Sequence, residues 1–124
     1  LILSDVTFVN LQYIDFANDL TKIQNELGVT IHNFDDLDHY NDLDDVAALS
    51  AALDIVVSIQ SAVPLISAGV GTLTKLACWR QSIWNNILYE PVGPVVDKFI
   101  RNTWEPWDNV FSLIAKDIID LTDN

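Results

Sequence analysis

The chain has 124 residues, half of them hydrophobic, and this length and composition exclude a disordered tail and allow one domain with a buried core. Eighteen acidic residues against six basic ones give a formal net charge of −12. Phosphate backbones and anionic membrane surfaces repel such a chain, so neither nucleic acid nor a membrane surface is expected as a partner.

Two further features concern the cellular setting. No apolar run approaches the ~20 residues that a membrane span needs, and no signal-peptide pattern opens the chain. The single cysteine, Cys78, cannot form an internal disulfide, which favours a reducing, cytoplasmic location. Because the chain begins at Leu1 without an initiator methionine, we expect residues 1–124 to be one domain cut from a longer protein, with processing as the alternative.

The first quarter of the chain predicts two strands around a helix. Val6–Tyr13 is rich in β-forming residues and is predicted as the first strand. A helix follows, with Gly28 placed to cap its C-terminus, and Val29–Phe34 is predicted as a second short strand. Apolar residues recur on one face of that helix at Phe16, Leu20, Ile23 and Leu27.

The acidic stretch Asp35–Asp45 is predicted as a loop that leads into a helix over Val46–Ala52, with Asp42 as the N-cap. A calcium-binding loop of the EF-hand type needs a glycine at its sixth position and a glutamate at its twelfth, and the stretch has neither. His32 and His39 lack zinc-ligand spacing and are interpreted as structural or surface residues. No metal site is therefore expected.

The second half continues the alternation of strands and helices. Ile55–Ser58 is almost wholly apolar, which is typical of a central parallel strand buried on both faces. Ser61–Ala68 is predicted as a short helix, and Leu73–Trp79 as the next strand. A loop follows over Arg80–Pro94, and Val95–Ile100 is predicted as the last strand.

The terminal helix has the clearest pattern. Pro106 suits its first turn. Its apolar stripe comprises Trp107, Val110, Phe111, Ile114, Ile118 and Leu121. Strands that alternate with helices at this spacing predict an α/β fold, a three-layer Rossmann-like domain with a mostly parallel sheet flanked by helices.

Ligands of such sheets usually bind beyond the carboxyl ends of the strands, and the turn after the strand Ile55–Gln60 is the strongest candidate. That strand delivers Ser61 to the start of a helix, where backbone N–H groups and the helix dipole can hold a phosphate. The alternative is that Ser61 only caps the helix. Pro64 has no N–H to offer, and the helix could begin at Ala62 or at Pro64 itself.

Other residues near this edge have two interpretations. Arg80 directly follows a strand and could neutralise a diphosphate or pair with a surface carboxylate. Trp79, Trp84 and Trp104 flank loops and could stack on a base or sugar, or could pack in the core. Cys78 lies in an apolar strand without an activating base and is expected to pack.

Several segments resemble the C-terminal half of two-domain glycosyltransferases of the GT-B fold, of the heptosyltransferase-like kind that includes versions fused to tetratricopeptide repeats. The likeness spans nearly the whole chain through short motifs in a shared order. Phe8–Gln12 is similar to the family's opening "SLQ" strand, and Asp42–Ser61 is similar to its helix with an acidic start followed by an "LDLVV" strand. Ser61–Gly71 lies where the family has a helix ending "HLAGALG". A "WR…S.W" loop of the family is matched by Trp79, Arg80, Ser82 and Trp84, and its closing "R…W" pair by Arg101 and Trp107.

The resemblance implies that this domain binds the nucleoside-diphosphate sugar of a glycosyltransferase as substrate, without a metal or a cofactor of its own. It also implies a missing N-terminal acceptor domain that supplies the catalytic base, so the fragment is not expected to be active alone. The donor-binding residues on matching positions are Gln12, Gln60, Ser61, Ala62, Val63, Arg80, Ser82 and Trp84.

The chain departs from the family pattern at the centre of this site. Gln60 and Ser61 stand where the family commonly has Asp-Ser/Thr, its helix histidine falls at Leu65, and Pro64 is added. An α/β interaction or structural domain that has lost its ligand is therefore the alternative function. A receiver-like signalling module is a third, but it needs carboxylates at the end of the first strand, and Tyr13–Asp15 fits that poorly.

Overall fold

The computed structural model describes residues 5–80 and 95–123. Within them the chain forms two compact units: a first unit over 5–48 and a second unit over 49–80 and 95–123. The strands are β1 (Phe8–Val9), β2 (Ile31–His32), β3 (Ile55–Ile59), β4 (Leu73–Trp79) and β5 (Val96–Arg101). The helices are α1 (Phe16–Leu27), α2 (Leu43–Ala52), α3 (Ala62–Gly69) and α4 (Trp107–Thr122).

The first unit contains a short parallel pair, in which Phe8 of β1 lies opposite Ile31 of β2. Both strands are shorter than the predicted Val6–Tyr13 and Val29–Phe34. The pair ends after Asn10, which is buried and whose amide still donates to the carbonyl of His32 at 2.8 Å. Beyond it the side chain of Asn10 provides the contacts: Oδ1 accepts from the Gln12 amide at 3.0 Å, and Nδ2 donates to Asn33 Oδ1 at 2.9 Å.

Helix α1 has the predicted position and the predicted C-cap. Gly28 takes a left-handed conformation with φ of 65°, and its N–H donates to the carbonyl of Gln24 at 3.0 Å. Its apolar face is half-buried at Phe16, Leu20 and Ile23.

Two carboxylates of the acidic stretch Asp35–Asp45 accept hydrogen bonds from its loop and from the start of α2. Asp42 Oδ1 accepts from the amide of Asp45 at 3.0 Å, which confirms it as the N-cap of α2. Asp38 accepts hydrogen bonds from the side chain and the backbone of Asn41 and from the amide of Tyr40, and these lower the pKa of its carboxyl. Among residues 5–80 and 95–123 there is no cluster of three or more His, Cys, Asp or Glu side chains that could hold a metal ion.

The second unit is built on a three-stranded sheet in the order β3-β4-β5, with every pair parallel. Neighbouring residues of β4 point to opposite faces, and each face has its own core. On one face Ala77 packs with Val110 and Ile114 of α4. On the other face Leu76 and Cys78 pack with Leu65 of α3. Helices thus flank the parallel sheet, which confirms the α/β, Rossmann-like prediction.

The central strand of this sheet is β4, and the prediction that Ile55–Ser58 is central and buried on both faces is wrong. Within the described residues of this unit, β3 pairs with β4 alone. Val57 and Ile59 remain 44% and 58% exposed, whereas Thr74–Cys78 is buried throughout. An apolar run indicates a strand, but the order of strands depends on pairing partners far away in the chain.

The apolar stripe of α4 is narrower than predicted. Val110, Ile114 and Ile118 are buried, whereas Phe111 and Leu121 are among the exposed large hydrophobic side chains. In the part of the chain that the structure describes, neither α4 nor any other helix combines the length and the apolar character needed to cross a membrane.

An ion cluster around a buried lysine lies under α4. The side chain of Lys75 is only 3% exposed, and its ammonium binds the carboxylates of Asp97 on β5 and Asp117 on α4. Burial lowers the pKa of Lys75, but the hydrogen bonds and the negative charges of Asp117 and Asp97 outweigh it, so the pKa is raised. The cluster therefore joins the sheet to the helix with Lys75 charged.

Two buried hydroxyls join α3 to the sheet on the opposite face. Ser67 Oγ and Thr74 Oγ1 lie 2.7 Å apart, and they can also donate to the carbonyls of Pro64 and Thr72, at 3.2 and 2.9 Å. The two hydroxyl protons serve three contacts, so one hydroxyl donates to the other and the second donates to a carbonyl. This pairing satisfies both buried side chains.

Cys78 is buried between β4 and α3, as the sequence predicts. Burial raises the pKa of its thiol to about 11, against a smaller lowering by Lys98. We expect Cys78 to resist alkylation by iodoacetamide at pH 8 in the native protein and to react fully in 6 M guanidinium, because little thiolate forms in the folded state. Mass spectrometry of the two samples measures this, and rapid modification of the folded protein would contradict it.

Candidate functional site

The parallel strands of the second unit bring three polar side chains to one edge of the sheet. Gln60 follows β3, Arg80 follows β4, and Arg101 is the last residue of β5. The strand register pairs Trp79 with Arg101, so the ends of β4 and β5 lie side by side. This carboxyl edge is where ligands of parallel α/β sheets bind.

The turn after β3 contains a capped helix start. Ser61 has extended backbone angles (φ −155°, ψ −170°), and its Oγ accepts from the amide of Val63 at 3.3 Å. Helix α3 begins at Ala62, which decides between the two predicted starts. Pro64 is fully buried and has no N–H, and the Val63 amide already donates to Ser61, so α3 offers an anion fewer donors than an ordinary helix start.

Helix α3 differs from the other helices in charge. Its first turn carries no acidic residue, whereas the first turns of α1, α2 and α4 carry one or two aspartates each. In a chain with eighteen acidic residues, the positive end of the α3 dipole thus has no carboxylate in its own first turn.

The side chain of Gln60 joins two strand ends. Its Oε1 accepts from the amide of Trp79 at 3.4 Å, across from β3 to β4. Leu65, at the position of the family's helix histidine, is half-buried against Leu76 and Cys78. Since Pro64 is fully buried, all three departures from the family pattern make contacts within the protein.

Arg80 is exposed beside this turn. Its Nη1 donates to Asn102 Oδ1 at 2.7 Å, and among the described residues it forms no ion pair. Because the asparagine is neutral, the contact orients the guanidinium without cancelling its charge. Of its two predicted roles, pairing with a surface carboxylate is not observed among residues 5–80 and 95–123.

The other predicted site residues have different placements. Ala62 and Val63 lie with Gln60, Ser61 and Arg80 in the second unit. Gln12 belongs to the first unit, where its Nε2 donates to the carbonyl of Ile14 at 2.8 Å. Ser82 and Trp84 lie outside the described residues.

The structure adds Arg101 to this edge. Its guanidinium lies 4.7 Å from the ring centre of Trp79 and 4.9 Å from that of Trp107, and its Nε donates to the carbonyl of Glu105 at 2.7 Å. The two indoles also make an edge-to-face contact at 5.3 Å. In the sequence, a basic residue at the end of a predicted strand was the available signal, as it was for Arg80.

Core packing and stacking on a ligand are the two interpretations of the tryptophans near this edge, and their exposure differs. Trp79 is 55% exposed although its ring contacts Arg101 and Trp107, and Trp104 is 94% exposed in the turn between β5 and α4. Core packing is therefore wrong for Trp104. Trp107, predicted as core, packs half-buried against the Ala77 cluster.

Comparison with known proteins gives one informative alignment. The chain is 34% identical over 119 residues to Protein FlbA of Caulobacter vibrioides, and the alignment covers 93% of this chain but 20% of that protein. No family model matches the chain, and no solved structure matches it. The chain thus spans about a fifth of the length of this relative.

Proposed function

We propose that the chain is the nucleotide-sugar-binding domain of a glycosyltransferase and that it holds the donor diphosphate at the turn after β3. One observation carries the proposal: in a chain with a net charge of −12, two of the six basic residues, Arg80 and Arg101, lie at the carboxyl ends of neighbouring strands beside a helix start without acids. This is the local charge that a diphosphate requires.

The chemistry assigns separate roles to the residues at this edge. Arg80 neutralises phosphate charge, because its contact to Asn102 leaves that charge uncompensated among the described residues. The Ser61–Val63 turn contributes the α3 dipole and an exposed approach at Ala62. The reacting groups come from an N-terminal acceptor domain, and the alignment to a much longer relative is consistent with such a partner.

The test is an NMR titration of the ¹⁵N-labelled chain with UDP, GDP, CDP and ADP. We expect at least one of them to shift the amides of Ser61, Ala62 and Val63, with a Kd on the order of 1 mM because half of the site is absent. Replacement Arg80→Gln should weaken this binding about tenfold, the scale of one charged hydrogen bond.

The matched control is Lys22→Gln, which removes one positive charge from the exposed surface of α1 in the first unit. It should leave the affinity unchanged within about twofold, because it alters the net charge without replacing any residue of the proposed site, and salt screens the long-range effect of charge. Absence of shifts at residues 60–63 with all four nucleotides would exclude the proposal.

An interaction or structural domain without a ligand is the second candidate. The contact between Gln60 Oε1 and the Trp79 amide favours it, because a side chain that the resemblance assigns to the donor instead joins β3 to β4. Two positions in the first turn of α3 also offer no N–H to a ligand: the Val63 amide donates to Ser61, and Pro64 has no N–H. A silent titration with a folded spectrum is the result that this candidate predicts.

A further inference from the structure

The geometry points to the Trp79–Arg101–Trp107 stack as a receptor for an oxyanion, the carboxylate or phosphate group of a small ligand. This inference shares Arg101 with the proposed function, but it does not require a nucleotide at α3. It concerns a residue that sequence analysis connected only with a family motif and that the donor proposal uses only as a nearby charge.

The stack fixes the plane of the Arg101 guanidinium. Indole rings lie against it at 4.7 and 4.9 Å from their centres to Cζ, and Nε is held by the carbonyl of Glu105. That carbonyl belongs to a turn closed by the Glu105 amide donating to Asn102 at 3.1 Å. The two ring centres are only 5.3 Å apart, so both indoles lie on the same side of the guanidinium. With that side and its Nε occupied, the guanidinium keeps its terminal Nη donors for recognition.

Charge supports the assignment. Arg101 forms no ion pair with any carboxylate of residues 5–80 and 95–123, although the chain has eighteen acidic residues. Lys75 shows the opposite case, since a buried cation that serves packing is bound by two carboxylates. A planar guanidinium that is held rigid without a carboxylate is the arrangement that binds an external carboxylate or phosphate in bidentate fashion.

The surroundings also fit a ligand rather than a closed core. Trp79 is 55% exposed, so the stack is open to solvent on one side. Arg80 contacts Asn102, the residue after Arg101, and brings a second guanidinium to the same edge. Trp104, three residues after Arg101, adds an almost fully exposed indole next to the turn. Two cations and exposed aromatic rings suit an anionic group carried by a polar ring compound.

The experiment titrates the full chain with inorganic pyrophosphate in one arm and glucuronate in the other, at constant ionic strength. It follows the indole Nε1–H signals of Trp79 and Trp107 and the Nε–H signal of Arg101 by NMR. We expect saturable shifts of these signals, and the arm with the tighter binding identifies phosphate or carboxylate as the ligand group. If neither anion shifts them, the inference is overturned.

Two variants distinguish binding by the planar guanidinium of Arg101 from binding by its positive charge alone. Arg101→Lys keeps the charge but loses the planar fork, and we expect it to weaken binding about tenfold. Lys116→Gln, an exposed position on α4, removes a charge and should change binding less than twofold. Equal binding by Arg101→Lys and the parent chain would overturn the assignment. Should Arg101→Lys fail to fold by circular dichroism, the titration of the parent chain still decides.

The anion titration and the nucleotide titration can succeed or fail independently, so the receptor and the donor site are tested separately. Shifts at Ala62 and Val63 with nucleotides, but none at Arg101 with either anion, would support the donor site and reject the stack as a receptor. Shifts at Arg101 with pyrophosphate or glucuronate, but none at residues 60–63 with nucleotides, would support the receptor and reject the donor site.

Discussion

Replacing both Asp97 and Asp117 by asparagine is expected to lower the free energy of unfolding by about 3–5 kcal/mol, the cost of leaving a buried charge without its partners. The side chain of Lys75 is 3% exposed, whereas those of Asp97 and Asp117 are 48% and 41% exposed, so the double replacement leaves the cation in a buried position without a charged partner. Each single replacement leaves one carboxylate and should cost less than half as much. Urea denaturation of the parent, the two single variants and the double variant measures the coupling.

The control must separate this effect from net charge, since removing two negative charges from a chain at −12 also relieves repulsion. Asp5→Asn combined with Asp36→Asn removes the same charge at exposed positions and should change stability by less than about 1 kcal/mol. A double variant of Asp97 and Asp117 that is as stable as this control would contradict the role given to the cluster.

The same cluster predicts the direction of a pH effect. The folded pKa of Lys75 lies above its ordinary value of 10.5, so the stabilisation is complete below that pH and is lost as the pH rises through the folded pKa. The parent chain should therefore lose stability in this alkaline window, and the double variant should lack that loss. Urea midpoints measured from pH 9 upward test the sign.

Leu76→Ala is expected to lower the free energy of unfolding by about 2–5 kcal/mol, because it leaves a cavity in the core that lies under α3. Leu76 is 0% exposed and forms this core with Cys78, with Leu65 and Val96 packed against them. The urea midpoint should fall without a change in the slope of the transition, since the surface exposed on unfolding is nearly the same.

Leu113→Ala is the matched control, because it removes the same atoms from a side chain that is 59% exposed on α4. Helix propensity favours alanine, so this variant should stay within about 0.5 kcal/mol of the parent. Equal destabilisation by Leu76→Ala and Leu113→Ala would mean that the core does not lie where the structure places it.

The alternation of elements could be predicted because local signals agree with the fold. The glycine cap of α1, the Asp42 cap of α2 and the extent of β4 are all confirmed. Strand order could not be predicted, since the apolar run of β3 is equally compatible with a central strand and with one paired on a single side. Exposure of Val57 and Ile59 follows from that pairing and not from their own composition.

That Gln60 and Arg80 lie at one edge of the sheet could be predicted from topology, whereas the contacts of the candidate site could not. A parallel sheet brings Gln60 and Arg80 to one edge whatever their side chains do. The stack around Arg101 depends on the register that pairs it with Trp79 and on the start of α4 at Trp107. Neither distance in the chain nor residue type indicates that two indoles separated by 28 positions contact the same guanidinium.

The central position of strand β4 determines how well ordered the backbone is at the carboxyl edge of the sheet. It lies between two parallel neighbours and between the cores of α3 and α4, so the amides of Thr74–Cys78 meet water only when the whole unit opens. If α3 or α4 alone separates from the sheet, the hydrogen bonds of β4 to β3 and to β5 stay intact. Trp79 and Arg80 continue directly from this segment, so we expect their backbone to be ordered without a ligand, and a ligand at this edge would cost little conformational entropy of that backbone.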